Sequence, residues 1–213
     1  MVALYVDTAL EQEVRIALAL GVVAGVTTNP TLIKRTGQPE EEALTRITVQ
    51  EPRQLFVQLA GKTEAELAMN LNRIRQRFPD TALVFKITPT WPAIRLCSKW
   101  HDREDFLVTA VNTVEQAYVA QEAGAKYIAV YLHRYRLRHG SWPPVEDIKS
   151  MTQSRIRVMI ASCHDIAEVR WSLVSACDDM TLPLATIQML LASKDSEDDI
   201  ARFDRDTSRV PRH

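Results

Sequence analysis

Cysteine is scarce in this 213-residue chain. Its three cysteines, Cys97, Cys163 and Cys177, are odd in number, widely spaced and form no CxxC pair. Neither a disulfide framework nor a zinc site is built from such spacing. Charge of one sign is also lacking: 26 basic residues against 27 acidic leave a formal charge of -1. Nothing in that balance asks for nucleic acid or an anionic membrane surface as a partner. No apolar run reaches the roughly 18 residues of a membrane span. The N-terminus opens on the strand-like Val2-Ala3-Leu4-Tyr5-Val6, not on a basic region followed by a long apolar stretch. The expectation is a cytoplasmic, reduced compartment. Low-complexity tracts and linkers are missing too. One domain is therefore expected over 1–192, with a charged, weakly amphipathic helix and tail over 193–213.

What the sequence does have is a rhythm. Short apolar runs recur at 3–7, 24–29, 55–60, 83–88, 106–111, 127–132, 157–162 and 180–184. Continuous apolar runs rich in β-branched residues suit strands buried on both faces, as in parallel sheets. Amphipathic stretches lie between them. Residues 64–78 carry Leu67, Leu71, Ile74 and Phe78 on one stripe, with Arg73, Arg75 and Arg77 outside it. Residues 11–20, 113–123 and 165–174 read the same way, and Gly124 is placed to cap the helix expected over 113–123. Eight strand–helix units predict an α/β fold of the closed TIM-barrel type; an open doubly wound sheet is the competing arrangement.

The polar residues in these runs carry the chemistry. Asp7, Thr28, Asn29, Gln58, Lys86, Thr109, Tyr131 and Ser162 all stand toward the C-terminal ends of their strands. In a barrel those ends converge on one mouth, where active sites are built. Lys86 is the sharpest signal, set in Leu83-Val84-Phe85-Lys86-Ile87. Burial disfavours an ammonium, and a neutral lysine amine attacks carbonyls. Taken singly, each has a plainer explanation. Lys86 can snorkel to water, Asp7 can cap a helix, and Thr28-Asn29-Pro30 can be a turn that opens one.

The residues then resemble a known family. Leu4-Tyr5-Val6-Asp7-Thr8 and Gly25-Val26-Thr27-Thr28-Asn29-Pro30 are similar to the opening of the small transaldolase and fructose-6-phosphate aldolase family. Matches continue through Leu55-Phe56-Val57-Gln58, Val84-Phe85-Lys86, Thr109-Ala110-Val111, Tyr127-Ile128-Ala129-Val130-Tyr131, Arg134, Ala161-Ser162 and Thr181-Leu182-Pro183-Leu184. The resemblance implies that Lys86 condenses with a ketose carbonyl, with Asp7 and Asn29 holding donor hydroxyls and assisting proton transfers. It implies that Gln58, Thr109 and Tyr131 position a water and handle acid–base work. Thr28 and Ala129 then belong to the substrate-binding set, and Arg134 and Ser162 grip a phosphate.

Gln58 and Tyr131 favour the aldolase side of the family, whereas Thr90-Trp91 and Ile94-Arg95 look more like a transaldolase. Cys163 and His164 stand where members usually carry Phe then Lys or Arg, which leaves His164 as the residue beside the phosphate. His133 replaces an asparagine. The rest of the basic run from His133 to His139 is expected to be solvated surface. The lysine itself serves as the electron sink, so no metal or organic cofactor is expected. The family also implies homo-oligomers, pentameric or decameric. A barrel kept only for binding or assembly is the alternative of another class.

Overall fold

The computed structural model describes residues 2–207. Eight strands close into a parallel barrel in sequence order, β1 pairing with β8. They are β1 Ala3–Asp7, β2 Val23–Thr27, β3 Leu55–Gln58, β4 Leu83–Ile87, β5 Asp105–Thr109, β6 Tyr127–Tyr131, β7 Arg157–Ala161 and β8 Asp179–Leu182. The expected (β/α)8 TIM barrel is thus the observed fold.

Helices follow the strands and cover the outside. They are α1 Glu11–Ala19, α2 Pro30–Arg35, α3 Glu40–Thr48, α4 Glu64–Arg77, α5 Trp91–Trp100, α6 Val114–Glu122, α7 Leu132–His139, α8 Val145–Thr152, α9 Ile166–Val174, α10 Leu184–Met189 and α11 Lys194–Thr207. Local chemistry sets several boundaries. Thr63 and Glu66 form a reciprocal capping box at α4, which satisfies two otherwise orphan amides. Gly124, at φ +82°, follows α6 in the left-handed position, and a Cβ there would collide with the His101 ring. Gly25 is required for a different reason: a Cβ would come within 2.4 Å of the Gln54 carbonyl oxygen.

Two cores result. The larger lies between strands and helices and takes the outward side chains, such as Val6, Val57, Phe85, Val108, Ile128 and Ile160. The smaller fills the barrel with Tyr5, Phe56, Val84, Leu107, Tyr127, Ala129 and Met159. Phe56 sits edge-on between Tyr5 and Tyr127, at 5.2 and 5.3 Å between ring centres. Each large side chain buried this fully contributes about 1.5–3 kcal/mol. Below this plug, Gln54 bridges the Tyr5 and Tyr127 hydroxyls, and Arg157 binds fully buried Asp179 through two hydrogen bonds of 2.9 and 2.6 Å. The N-terminal end of the barrel is therefore sealed, and only the C-terminal end is open.

The C-terminal helix α11 is present and buries none of its described residues, leaving Ile200 and Phe203 more than half exposed. Residues 208–213 of the expected tail lie outside the described residues. Among the described residues no helix is long and apolar enough to cross a membrane.

Candidate active site

A cavity of about 580 Å³ opens at the C-terminal mouth. Strand alternation decides which side chains reach it, because successive residues face opposite sides of a sheet. Asp7, Gln58, Lys86, Thr109, Ala129 and Tyr131 all face inward and line it. Asn29, Arg134, Ser162 and His164 line it from the loops and helix that follow their strands.

Thr28 is the exception. It is the neighbouring Thr27 that lines the cavity, while the Thr28 hydroxyl turns to the outer face and donates to the Phe56 carbonyl at 2.8 Å. The apolar run read as 24–29 is strand only over Val23–Thr27, and parity along it puts Thr27 inside. Thr28 contributes its main chain instead: its carbonyl oxygen accepts from Lys86 Nζ at 2.6 Å.

Lys86 is 6% exposed, with its amine within the barrel mouth rather than in bulk water. Burial lowers its pKa below the ordinary lysine value, and the negative charge of Asp7 opposes that shift. Among the described residues the amine's hydrogen-bond partner is the neutral Thr28 carbonyl, which favours a reactive free base over a committed ion pair. Asp7 does not cap α1, whose N-cap is Leu10 without a side-chain bond. Its carboxylate accepts from Thr27 Oγ1 at 2.7 Å, and Thr27 in turn lies 2.6 Å from Thr181 Oγ1. That chain of hydroxyls fixes the carboxylate at the mouth, where its charge acts on the amine. Asn29 has two duties, capping α2 by accepting from the Leu32 amide at 3.0 Å while lining the cavity.

Across the mouth, Tyr131 OH and Thr109 Oγ1 are 2.6 Å apart. Gln58 is the register partner of Lys86 on the adjacent strand. A phenol, a hydroxyl and an amide thus line the same cavity as the amine, a set able to hold a water and relay a proton. The Arg134 guanidinium lies over the Tyr131 ring at 4.6 Å, and it pairs with no carboxylate among the described residues. Ser162 adopts φ +61° at the end of β7, a left-handed conformation costly for a residue with a side chain. It sits 3.4 Å from His164 Nε2.

Sequence reading missed Thr27, Thr181, Glu13 and Arg35, all of which line the cavity. Thr181 was visible only as part of a matching segment. Glu13 and Arg35 sit on helices, where nothing separates them from surface charge. The basic run after β6 is also less exposed than expected, since His133 and Arg136 both bind the fully buried carboxylate of Glu168 at 2.9 Å.

The transaldolase/fructose-6-phosphate aldolase family profile matches residues 4–211. The chain belongs to that family. Solved structures share its barrel at low identity. A 2,3-dimethylmalate lyase, described as a PEP mutase/isocitrate lyase superfamily member, aligns with TM-score 0.61 at 12% identity, over 97% of this chain and 83% of its own. A mandelate oxidase aligns at 0.60 and 16%, over 86% of this chain. The inosine 5'-monophosphate dehydrogenase of Legionella pneumophila aligns at 0.59 and 8%, over 84% of this chain and 57% of its own. The aligned region spans 65% of the mandelate oxidase. At such identities these structures speak to the fold alone.

Proposed function

We propose that this family member is a Schiff-base aldolase acting on a ketose or ketose phosphate, in the manner of a fructose-6-phosphate aldolase. The observation that carries the reading is the Lys86 amine: buried, pushed toward its neutral form, and facing a polar cavity beside Asp7. Neutral Nζ adds to the ketone carbon, the carbonyl oxygen takes up protons, and loss of water leaves an iminium. The iminium draws in the electron pair of the carbon–carbon bond next to the adjoining carbon. The hydroxyl on the departing carbon gives up its proton as an aldehyde forms.

Tyr131, with water held by Gln58 and Thr109, receives that proton. Asp7, with its acceptor oxygens fixed by Thr27, holds donor hydroxyls and assists proton transfer during imine formation; Asn29 and the wall at Ala129 shape the donor site. The remaining enamine is protonated and hydrolysed to dihydroxyacetone. Arg134, Ser162 and His164 receive the phosphate of an acceptor such as glyceraldehyde 3-phosphate, since a guanidinium with no carboxylate partner among the described residues and a neighbouring hydroxyl suit that anion. A cytoplasmic setting and homo-oligomeric assembly through the apolar face of α11 complete the proposal, as does the division into a barrel over 1–192 and a terminal segment over 193–213.

Transaldolase is the second reading, carried by Thr90-Trp91 and Ile94-Arg95. Incubation with dihydroxyacetone or fructose 6-phosphate, followed by borohydride reduction, is expected to add the reduced ketose to Lys86 by mass. No adduct with any small ketose would leave a binding barrel in its place. Products formed with and without an acceptor aldehyde separate aldolase from transaldolase.

A further inference from the structure

Beside Ser162 the cavity wall is not a simple cation but a pair of imidazoles. The His164 ring lines the cavity, and the His133 ring stacks on it at 4.0 Å and 17°. Behind them Glu168, fully buried, accepts from His133 Nδ1 at 2.9 Å, from Arg136 at 2.9 Å and from the His164 amide at 2.8 Å. The His133 amide also donates to the Ser162 carbonyl at 3.0 Å. The loop after β7 and the start of α7 are thereby tied together, and the His133 ring is anchored on Glu168 beneath His164.

We propose that this stacked pair is a proton-accepting anion subsite, so that binding the phosphate end of the substrate takes up one proton shared by His133 and His164. Arg136 pairs with Glu168 as well, so the buried carboxylate has a permanent cation beside it whatever the imidazoles do. A bound dianion at Ser162 and Arg134 favours the protonated ring, as any close opposite charge does. Two charged rings face to face at 4.0 Å would repel each other, which limits uptake to a single proton.

The other ionisable groups around the pair are Arg134 and Arg136 on α7, Cys163 and Asp165 in the loop, and Glu168 on α9. The further ionisable residues lining the cavity are Asp7, Glu13, Arg35, Lys86 and Tyr131. Cys163 does not compete for the proton, because burial pushes its thiol up to about 12. Specificity follows: a fixed cation binds phosphate at all pH values, whereas this pair grips it only while a proton is available.

The proposal rests on reading the cavity as a sugar-phosphate site, but its test does not require turnover. Inorganic sulfate is the probe, since it stays a dianion while histidine titrates. Calorimetry in buffers of different ionisation heat should show net proton uptake on binding. The sulfate affinity should fall toward tenfold per pH unit at pH values above about 7, the limiting slope for one linked proton on a histidine. His164→Gln should abolish both effects, whereas Arg134→Gln should weaken binding at every pH and keep the slope. The readout is anion binding without turnover, so failure of the aldolase reading leaves this result intact. Sulfate binding without proton uptake, an unchanged slope in His164→Gln, or no sulfate binding at all would overturn it.

Discussion

Lys86 Nζ donates to the main-chain carbonyl of Thr28 at 2.6 Å, so the amine is held by a neutral dipole and not by a carboxylate. A backbone acceptor cannot take the proton, and burial makes the charged form costly. Replacing Lys86 by Met should abolish borohydride trapping and reduce turnover by at least about 10³-fold, the scale for loss of a covalent nucleophile. The same variant should be more stable than wild type near neutral pH, by about 1–3 kcal/mol, because a buried polar group is removed. The sign follows from the lowered pKa: the unfolded lysine binds its proton more tightly than the folded one. The gain is therefore full below the folded value and disappears as pH rises toward the unfolded value of about 10.4. Thermal unfolding across alkaline pH checks it.

Asp7 acts on the same amine in the opposite sense, its charge favouring the ammonium form. In Asp7→Asn the lysine pKa should drop further, because the opposite charge that opposes the effect of burial is gone. The acid limb of the pH profile for imine trapping with dihydroxyacetone then moves to lower pH, even though the maximal rate falls. An acid limb that stays in place or moves upward would show that Asp7 does not set the lysine's charge.

Tyr131 and Thr109 share one short hydrogen bond. Tyr131→Phe removes the proposed proton acceptor and should slow carbon–carbon cleavage by about 10²–10⁴-fold. The reduced adduct on Lys86 should still form with dihydroxyacetone, which needs no bond cleavage. Equal loss of trapping and cleavage in rapid-quench measurements would place the phenol in imine formation instead.

The adjacent threonines of β2 should separate cleanly. Thr27→Val breaks the link between Asp7 and Thr181 and should lower kcat, with little change in unfolding temperature. Thr28→Val removes only a hydroxyl bonded to the Phe56 carbonyl, which keeps the Thr28 amide as a donor at 3.0 Å. That variant should lose about 0.5–1.5 kcal/mol of stability and retain its kinetic constants.

Much of this was legible before any coordinates. The eight strands were read as continuous apolar runs, and the polar residues at their C-terminal ends marked one mouth, because a parallel barrel buries both faces of each strand and gathers those ends together. The alternation of Lys86 with Phe85 and Ile87 needed no tertiary knowledge to suggest an enclosed amine. What the runs did not reveal is parity: when both faces are apolar, nothing local says whether Thr27 or Thr28 looks inward, and the end of β2 decides it. The anchoring of His133 and His164 on Glu168 was equally hidden. These residues come from separate helices and a loop, and only packing of α7 against α9 brings them together, turning an apparent solvated basic run into part of the wall. The sequence by itself determined the barrel and singled out Lys86 as its enclosed amine; tertiary contact alone decided which hydroxyls orient Asp7 and what stands beside Ser162 in the cavity wall.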